Sequence, residues 1–163
     1  MRAGLKMYWV FWAMAGAAVV HVAEEYLFGW LDFTRGLKGR YAARFTAGID
    51  LAAFIAVNAL FILLCVAGAI VGMDQPFFSL SIAALLLINT VMHLVPMAMV
   101  RRYSPGSASA LFLYVPLAIY AFYVVDEAGR LSALTVLGAF LLGFLWMSLP
   151  VGVAFIRSAR IAD

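Results

Sequence analysis

Long uninterrupted apolar stretches constrain this chain more than any other feature of its sequence. Five of them are long enough for a helix to cross a bilayer, which takes about 20 residues. Their approximate bounds are 7–28, 47–72, 77–100, 107–125 and 133–156. Charged residues make up only 12% of the chain, against about 25% in a soluble domain. We therefore expect residues 1–163 to form one integral membrane domain.

The secondary structure of these stretches follows from the membrane environment. In hydrocarbon, every backbone polar group must find a partner within the protein. The stretches lack the alternating pattern of membrane β-strands. The prediction is an all-α fold with five transmembrane helices in one bundle.

The distribution of lysine and arginine predicts the orientation of such a bundle. With five spans, one side holds Arg2, Lys6 and Arg130. The opposite side holds Arg35, Lys38, Arg40, Arg44, Arg101, Arg102, Arg157 and Arg160. The positive-inside rule then places the N-terminus outside and the C-terminus in the cytoplasm of a bacterial inner (plasma) membrane. No segment interleaves basic and aromatic residues, so we expect no nucleic-acid partner.

Polar side chains lie within the apolar stretches, and they share the leaflet that this orientation makes cytoplasmic. His21 and His93 are the only histidines in the chain, and each lies roughly 10 Å from the cytoplasmic end of its span by helix rise. The other members are Glu24, Glu25, Asp50, Asn58 and Asn89. Each ionisable group costs about 2.5–3.5 kcal/mol to insert, and such groups usually mark function.

Helical geometry brings several of these side chains onto shared faces. At about 100° per residue, Glu24 and Glu25 lie about 60° and 40° to either side of His21. Asn89 and His93 are one turn apart and share a face. Two imidazoles and a carboxylate that meet across a bundle form a suitable donor set for a divalent metal.

The candidate metal ligands are His21, His93 and one of the two glutamates, with zinc favoured and iron as an alternative. The other glutamate would act as general base or bridge to a second metal. Asn89 would orient a ligand or polarise a substrate oxygen. Asp50 and Asn58 are secondary candidates, and Asp50 has alternative roles as the cap of the second span or as a partner of Arg44.

The segments His21-Val22-Ala23-Glu24-Glu25 and Asn89-Thr90-Val91-Met92-His93, followed by Tyr103-Ser104-Pro105-Gly106, resemble the HXXEE domain family of small bacterial membrane proteins. The resemblance covers roughly residues 21–116. It implies that His21, Glu24, Glu25, Asn89 and His93 are signature positions and that the protein is an enzyme. It supplies neither a substrate nor a metal.

Three functions remain open from the sequence. The favoured one is a metal-dependent hydrolase acting on a membrane lipid or isoprenoid-like amphiphile from the cytoplasmic leaflet. The basic residues of loop 29–46 would anchor the topology, and attraction of an anionic head group is the alternative. A metal-free isomerase or cyclase would instead use Glu24 or Glu25 as proton donor. An ion-coupled or proton-coupled transporter is the third possibility, although a polar path confined to one leaflet argues against it.

Overall fold

The computed structural model describes residues 2–37, 39, 44 and 46–162, and within these ranges it contains helices and no strand. The helices are α1 (Arg2–Leu27), α2 (Trp30–Arg35), α3 (Leu51–Val71), α4 (Pro76–Val100), α5 (Ser107–Glu127) and α6 (Ala133–Ala162). A 3₁₀ turn, Gly72–Asp74, extends α3. The all-α prediction is confirmed.

Four helices in the described part of the chain are long and apolar enough to cross a membrane. They are Leu51–Asp74, Pro76–Val100, Ser107–Glu127 and Ala133–Arg160. The prediction of five spans is therefore wrong in its count. Residues 7–27 do belong to a helix, but its apolar stretch runs only from Met7 to Val20 before His21 interrupts it. That stretch is shorter than the roughly 20 residues that a bilayer requires.

The core lies where α1, α3, α4 and α5 meet. α1 packs against α3 and α5, whereas α4 packs against α3, α5 and α6. Small residues allow close approach, as in other membrane bundles: Gly143 of α6 lies against the backbone of α4 at Ser81 and Leu85, where a Cβ atom would come within 2.9 Å. The functional side chains gather where the ends of α1 and α4 meet the start of α5.

Helix α5 contains a π-helical segment, Ala110–Tyr114, between its first turn and a regular helix. Such segments widen the helix and frequently accompany functional sites. In a regular α-helix, residues five apart point in directions about 140° apart. The wider π turn brings Ser109 and Tyr114 onto one face, toward α1.

The basic segment before α3 is described only in part. Lys38 and Arg40 lie outside the described residues. Arg44 is exposed, and Arg35 forms an exposed ion pair with Asp32. The prediction that this segment attracts anionic head groups stays a prediction.

Candidate metal centre

His21, Glu25 and His93 form one buried cluster. Nε2 of His93 lies 3.2 Å from Oε1 of Glu25, and Nε2 of His21 lies 3.6 Å from the same oxygen. The two imidazole rings meet edge to face with centroids 4.8 Å apart. Each of the three residues is at most 5% exposed. Two histidines and one carboxylate therefore converge on one point.

The other ring nitrogen of each histidine contacts a serine hydroxyl. Nδ1 of His21 is 3.0 Å from Oγ of Ser109, and Nδ1 of His93 is 3.3 Å from Oγ of Ser104. The Ser109 hydroxyl has one hydrogen and two acceptors within reach, the carbonyl of Gly106 and Nδ1 of His21. When it donates to Gly106, it accepts from His21, which then carries its proton on Nδ1.

This tautomer leaves a bare lone pair on Nε2 of His21, which has no hydrogen-bond partner in the structure. The lone pair faces the Glu25 carboxylate, which is also an acceptor. Two buried acceptors that face each other require a positive charge between them. A metal ion supplies that charge, as do protons on the imidazoles.

The two distances to Glu25 fit those around a metal ion. Zinc bonds of about 2.0–2.2 Å to nitrogen and oxygen place tetrahedral ligand atoms about 3.3 Å apart. The two distances to Glu25, 3.2 and 3.6 Å, bracket that value. All three ligand atoms lie within 4.8 Å of one another, so the most widely separated pair has to move closer to share one tetrahedral ion. Serine hydroxyls on both Nδ1 atoms match the way metal-bound histidines are oriented by a second hydrogen bond.

Glu24 points away from this cluster and caps helix α5. Its Oε1 accepts from the backbone N–H groups of Gly106 at 2.9 Å and Ala108 at 3.2 Å, and its Oε2 accepts from Ser109 at 2.7 Å. The hydroxyl of Tyr103 donates to Oε1 as well. The first N–H groups of a helix lack partners within the helix, so the Glu24 carboxylate satisfies the start of α5.

Gly106 lies directly against both imidazoles. Its φ is +97°, a conformation that favours glycine. A Cβ atom at this position would lie 2.6 Å from Cε1 of His93 and 2.8 Å from Cε1 of His21. The turn before α5 therefore needs glycine for its backbone shape and for contact with the cluster.

Aromatic rings cover the side of His21 away from the carboxylate. The ring of Tyr114 lies 4.7 Å from the imidazole, and that of Phe61 lies 6.5 Å away. Tyr114 is fully buried and its hydroxyl has no hydrogen-bond partner in the structure. These two rings form an aromatic wall beside His21.

The cluster opens into a cavity of about 240 Å³ that is lined by Glu25, His93 and residues of α2, α3, α4 and α6. A second cavity of about 250 Å³ follows deeper between α3, α4 and α6. Asn58 and Asn89 line both cavities, and Oδ1 of Asn89 is buried without a hydrogen-bond partner. Both asparagines are therefore placed to contact a ligand rather than the histidine cluster.

Asp50 lies at the outer end of the first cavity, away from the histidines. Its Oδ1 accepts from the backbone N–H of Ala53 at 2.7 Å and caps α3, while its Oδ2 pairs with Arg157 at 2.8 Å. These two contacts hold the pKa of the carboxyl below its usual value. Of its alternative roles, the cap is present, and the ion-pair partner is Arg157 rather than Arg44.

The family comparison bears on this arrangement. The family described as a protein of unknown function with HXXEE motif matches residues 12–121. The chain belongs to the HXXEE family. No curated protein and no solved structure matches the chain. The motif residues of this HXXEE protein divide their work: the histidine and the last glutamate join the cluster, and the glutamate between them caps α5.

Sequence reasoning did not identify the residues that support the cluster. Ser104, Ser109, Gly106 and Tyr103 contact the motif side chains, and three of them belong to the segment quoted for the family resemblance. The density of serine and glycine in residues 104–109, between two apolar helices, was the signal available. Nothing in the sequence indicates the π turn that brings Tyr114 to His21.

Proposed function

We propose that this HXXEE protein is a membrane-embedded, metal-dependent hydrolase that holds zinc, or alternatively iron, between His21, Glu25 and His93. The observation that carries the proposal is the cluster itself. Two buried imidazoles, each with Nδ1 against a serine hydroxyl, turn Nε2 toward one carboxylate oxygen. When bound, such an ion acts as a Lewis acid and lowers the pKa of a coordinated water to about 7.

The residues around the ligands have separate roles in this proposal. Oε2 of Glu25 is the proton acceptor, because the Glu24 oxygens already accept four hydrogen bonds. Asn89 lies one turn from His93 on α4 and orients a substrate oxygen with its amide. The aromatic wall of Tyr114 and Phe61 keeps bulk water from His21.

The proposed substrate is a lipid or isoprenoid-like amphiphile that enters from the cytoplasmic leaflet. The two cavities support this class, since their walls are mainly apolar side chains of α3, α4 and α6. The cytoplasmic assignment rests on charge. Of the basic residues outside α1, eight flank one end of the four candidate spans and only Arg130 lies at the other end. The positive-inside rule makes the eight-residue side cytoplasmic.

Metal content tests the proposal. Protein purified without chelator should carry about one zinc per chain, the stoichiometry of a single three-ligand site. His21→Ala, His93→Ala and Glu25→Gln should each lose the metal. Glu24→Gln is the matched control: it changes the adjacent carboxylate in the same way, and should retain zinc while lowering the melting temperature, because α5 loses its cap.

A metal-free acid-base isomerase or cyclase is the second candidate. It is favoured by the same pair of facing acceptors, because a proton shared between His21 and Glu25 also resolves their contact, and by the aromatic wall, whose π faces stabilise cations. If the wild-type protein holds no stoichiometric metal and added zinc leaves its melting temperature unchanged, this candidate replaces the hydrolase.

A further inference from the structure

Arg157 lies at the outer end of the first cavity and lines it. Its guanidinium pairs with Oδ2 of Asp50 at 2.8 Å, and both side chains are more than a third exposed. An exposed ion pair contributes little stability. Oδ1 of Asp50 keeps its own partner, the backbone N–H of Ala53. Arg157 can therefore leave Asp50 at small cost without uncapping α3.

The chain before α3 narrows this outer end. Gly48 lies so close to α6 that a Cβ atom would come within 1.9 Å of the carbonyl oxygen of Ala154. Gly48, Ala154 and Arg157 all line the first cavity. The guanidinium thus lies near the close contact of Gly48 with α6, at the edge of a mainly apolar space.

Contacts between α4 and α6 give the order of groups along this space. Gly138 packs against Phe77, and Gly143 packs against Ala84, so the two helices run in the same direction with residues about 60 positions apart at one level. Arg157 then lies about one turn, ~6 Å, outside His93, and Asn89 lies about one turn inside it. A bound molecule meets a positive charge, then the histidine cluster, then Asn58 and Asn89.

We propose that the cavity binds a single-chain amphiphile with an anionic head group, and that Arg157 is the residue that holds that head group. This inference rests on the proposed function and specifies its substrate class: an anionic head, a reactive group about one turn deeper at His21, Glu25 and His93, and one apolar tail. The two cavities share Val57, Asn58, Asn89, Met147, Pro150 and Val153, so one tail has a continuous path. Guanidinium binds phosphate or carboxylate oxygens in bidentate fashion.

Binding measurements without metal test the inference separately from the proposed chemistry. Chelator-treated protein in phosphatidylcholine nanodiscs is titrated calorimetrically with dodecyl phosphate, dodecanol or inorganic phosphate, with empty nanodiscs subtracted. Arg157→Gln should weaken dodecyl phosphate binding about tenfold or more, the loss of a charge-assisted contact, and leave dodecanol binding unchanged. Arg157→Lys should fall between, since it keeps the charge but loses the fork.

Arg160→Gln is the matched control, because it removes an exposed arginine one turn further along α6 that does not line the cavity. It should leave all three affinities unchanged. Equal losses in both glutamine variants would mean that surface charge alone attracts the probe, and would overturn the inference. So would inorganic phosphate that binds as tightly as dodecyl phosphate, which indicates a free-anion site. The binding measurement involves neither metal nor turnover. The affinity for dodecyl phosphate therefore tests the role of Arg157, whereas loss of zinc in Glu25→Gln tests the metal site.

Discussion

Glu24 and Glu25 are adjacent in the chain, yet their carboxylates have different surroundings. Glu25 is buried between two imidazoles, whereas Glu24 meets three backbone N–H groups and the Tyr103 hydroxyl. Because neighbouring residues on a helix point about 100° apart, the end of α1 directs Glu25 toward the two imidazoles and Glu24 toward the start of α5. We therefore expect neither carboxylate to take over the role of the other, since each is held by a different part of the fold.

Tyr103 gives a pH-dependent prediction at the same scale. Burial and its hydrogen bond to Glu24 raise the pKa of its phenol. A raised pKa stabilises the fold below the usual tyrosine value of about 10, and this contribution is lost as the pH rises through the folded-state pKa. Tyr103→Phe should therefore lower the free energy of unfolding by about 1 kcal/mol near pH 8, and the difference should shrink at strongly alkaline pH.

Thermal melting in detergent at pH 8 and at alkaline pH measures that difference. Tyr26→Phe is the control, because Tyr26 is 64% exposed on α1 and should change neither melting temperature. A Tyr103→Phe difference that stays constant across this range would show that the phenol proton does not support Glu24.

Among the elements, the turn from Arg101 to Gly106 determines the site more than any single helix does. It supplies Tyr103 to Glu24, Ser104 to His93 and Gly106 to both imidazoles. The turn joins α4 to the capped start of α5, so the metal cluster and the helix cap depend on one backbone path. A change in the turn should alter both together.

Gly106→Ala tests that dependence, with Gly129→Ala as its control. Both glycines have positive φ, +97° and +67°, but the space around the Cβ position of Gly129 is open while that of Gly106 holds both histidines. Gly129→Ala should cost about 1–2 kcal/mol of backbone strain. Gly106→Ala should cost more and also abolish metal binding. Equal losses of stability in the two variants, with metal retained in both, would contradict the contact.

The helices could be predicted from the sequence because the apolar stretches and their turns are local features. The last four stretches correspond to α3–α6, and their predicted bounds agree with the observed ones within a few residues, except at the C-terminal end of α6. The first stretch failed as a predicted span because His21 and Glu25, which interrupt its apolar sequence, turn into the bundle. The histidine pair could be suggested from matching depths, whereas the choice between Glu24 and Glu25 depends on a turn 80 residues away.

In the whole molecule, the polar cluster, the cavity mouth and the basic residues lie at one end of the four candidate spans. Arg101 and Arg102 follow α4, and Arg157 and Arg160 lie in the last turns of α6. This charge asymmetry involves several helices and loops, and in the proposed function it sets the leaflet from which the substrate enters.

A topology measurement checks the asymmetry. A reporter fused after Asp163 should respond as cytoplasmic, and one inserted beside Arg130, between α5 and α6, should respond as external. The paired fusion controls for expression, since the two sites must give opposite results. A reversed pair would leave the metal cluster intact but would move substrate entry to the outer leaflet.

X-ray absorption at the zinc edge tests directly whether His21, His93 and Glu25 hold one metal ion. The protein, loaded with one equivalent of zinc in detergent, should show two imidazole nitrogens at about 2.0–2.1 Å and oxygen ligands at about 2.0–2.2 Å. Either histidine variant should lose the two-imidazole signature, whereas Glu24→Gln should keep it. A sulfur ligand at about 2.3 Å, fewer than two imidazoles, or an unchanged spectrum in Glu25→Gln would contradict the account.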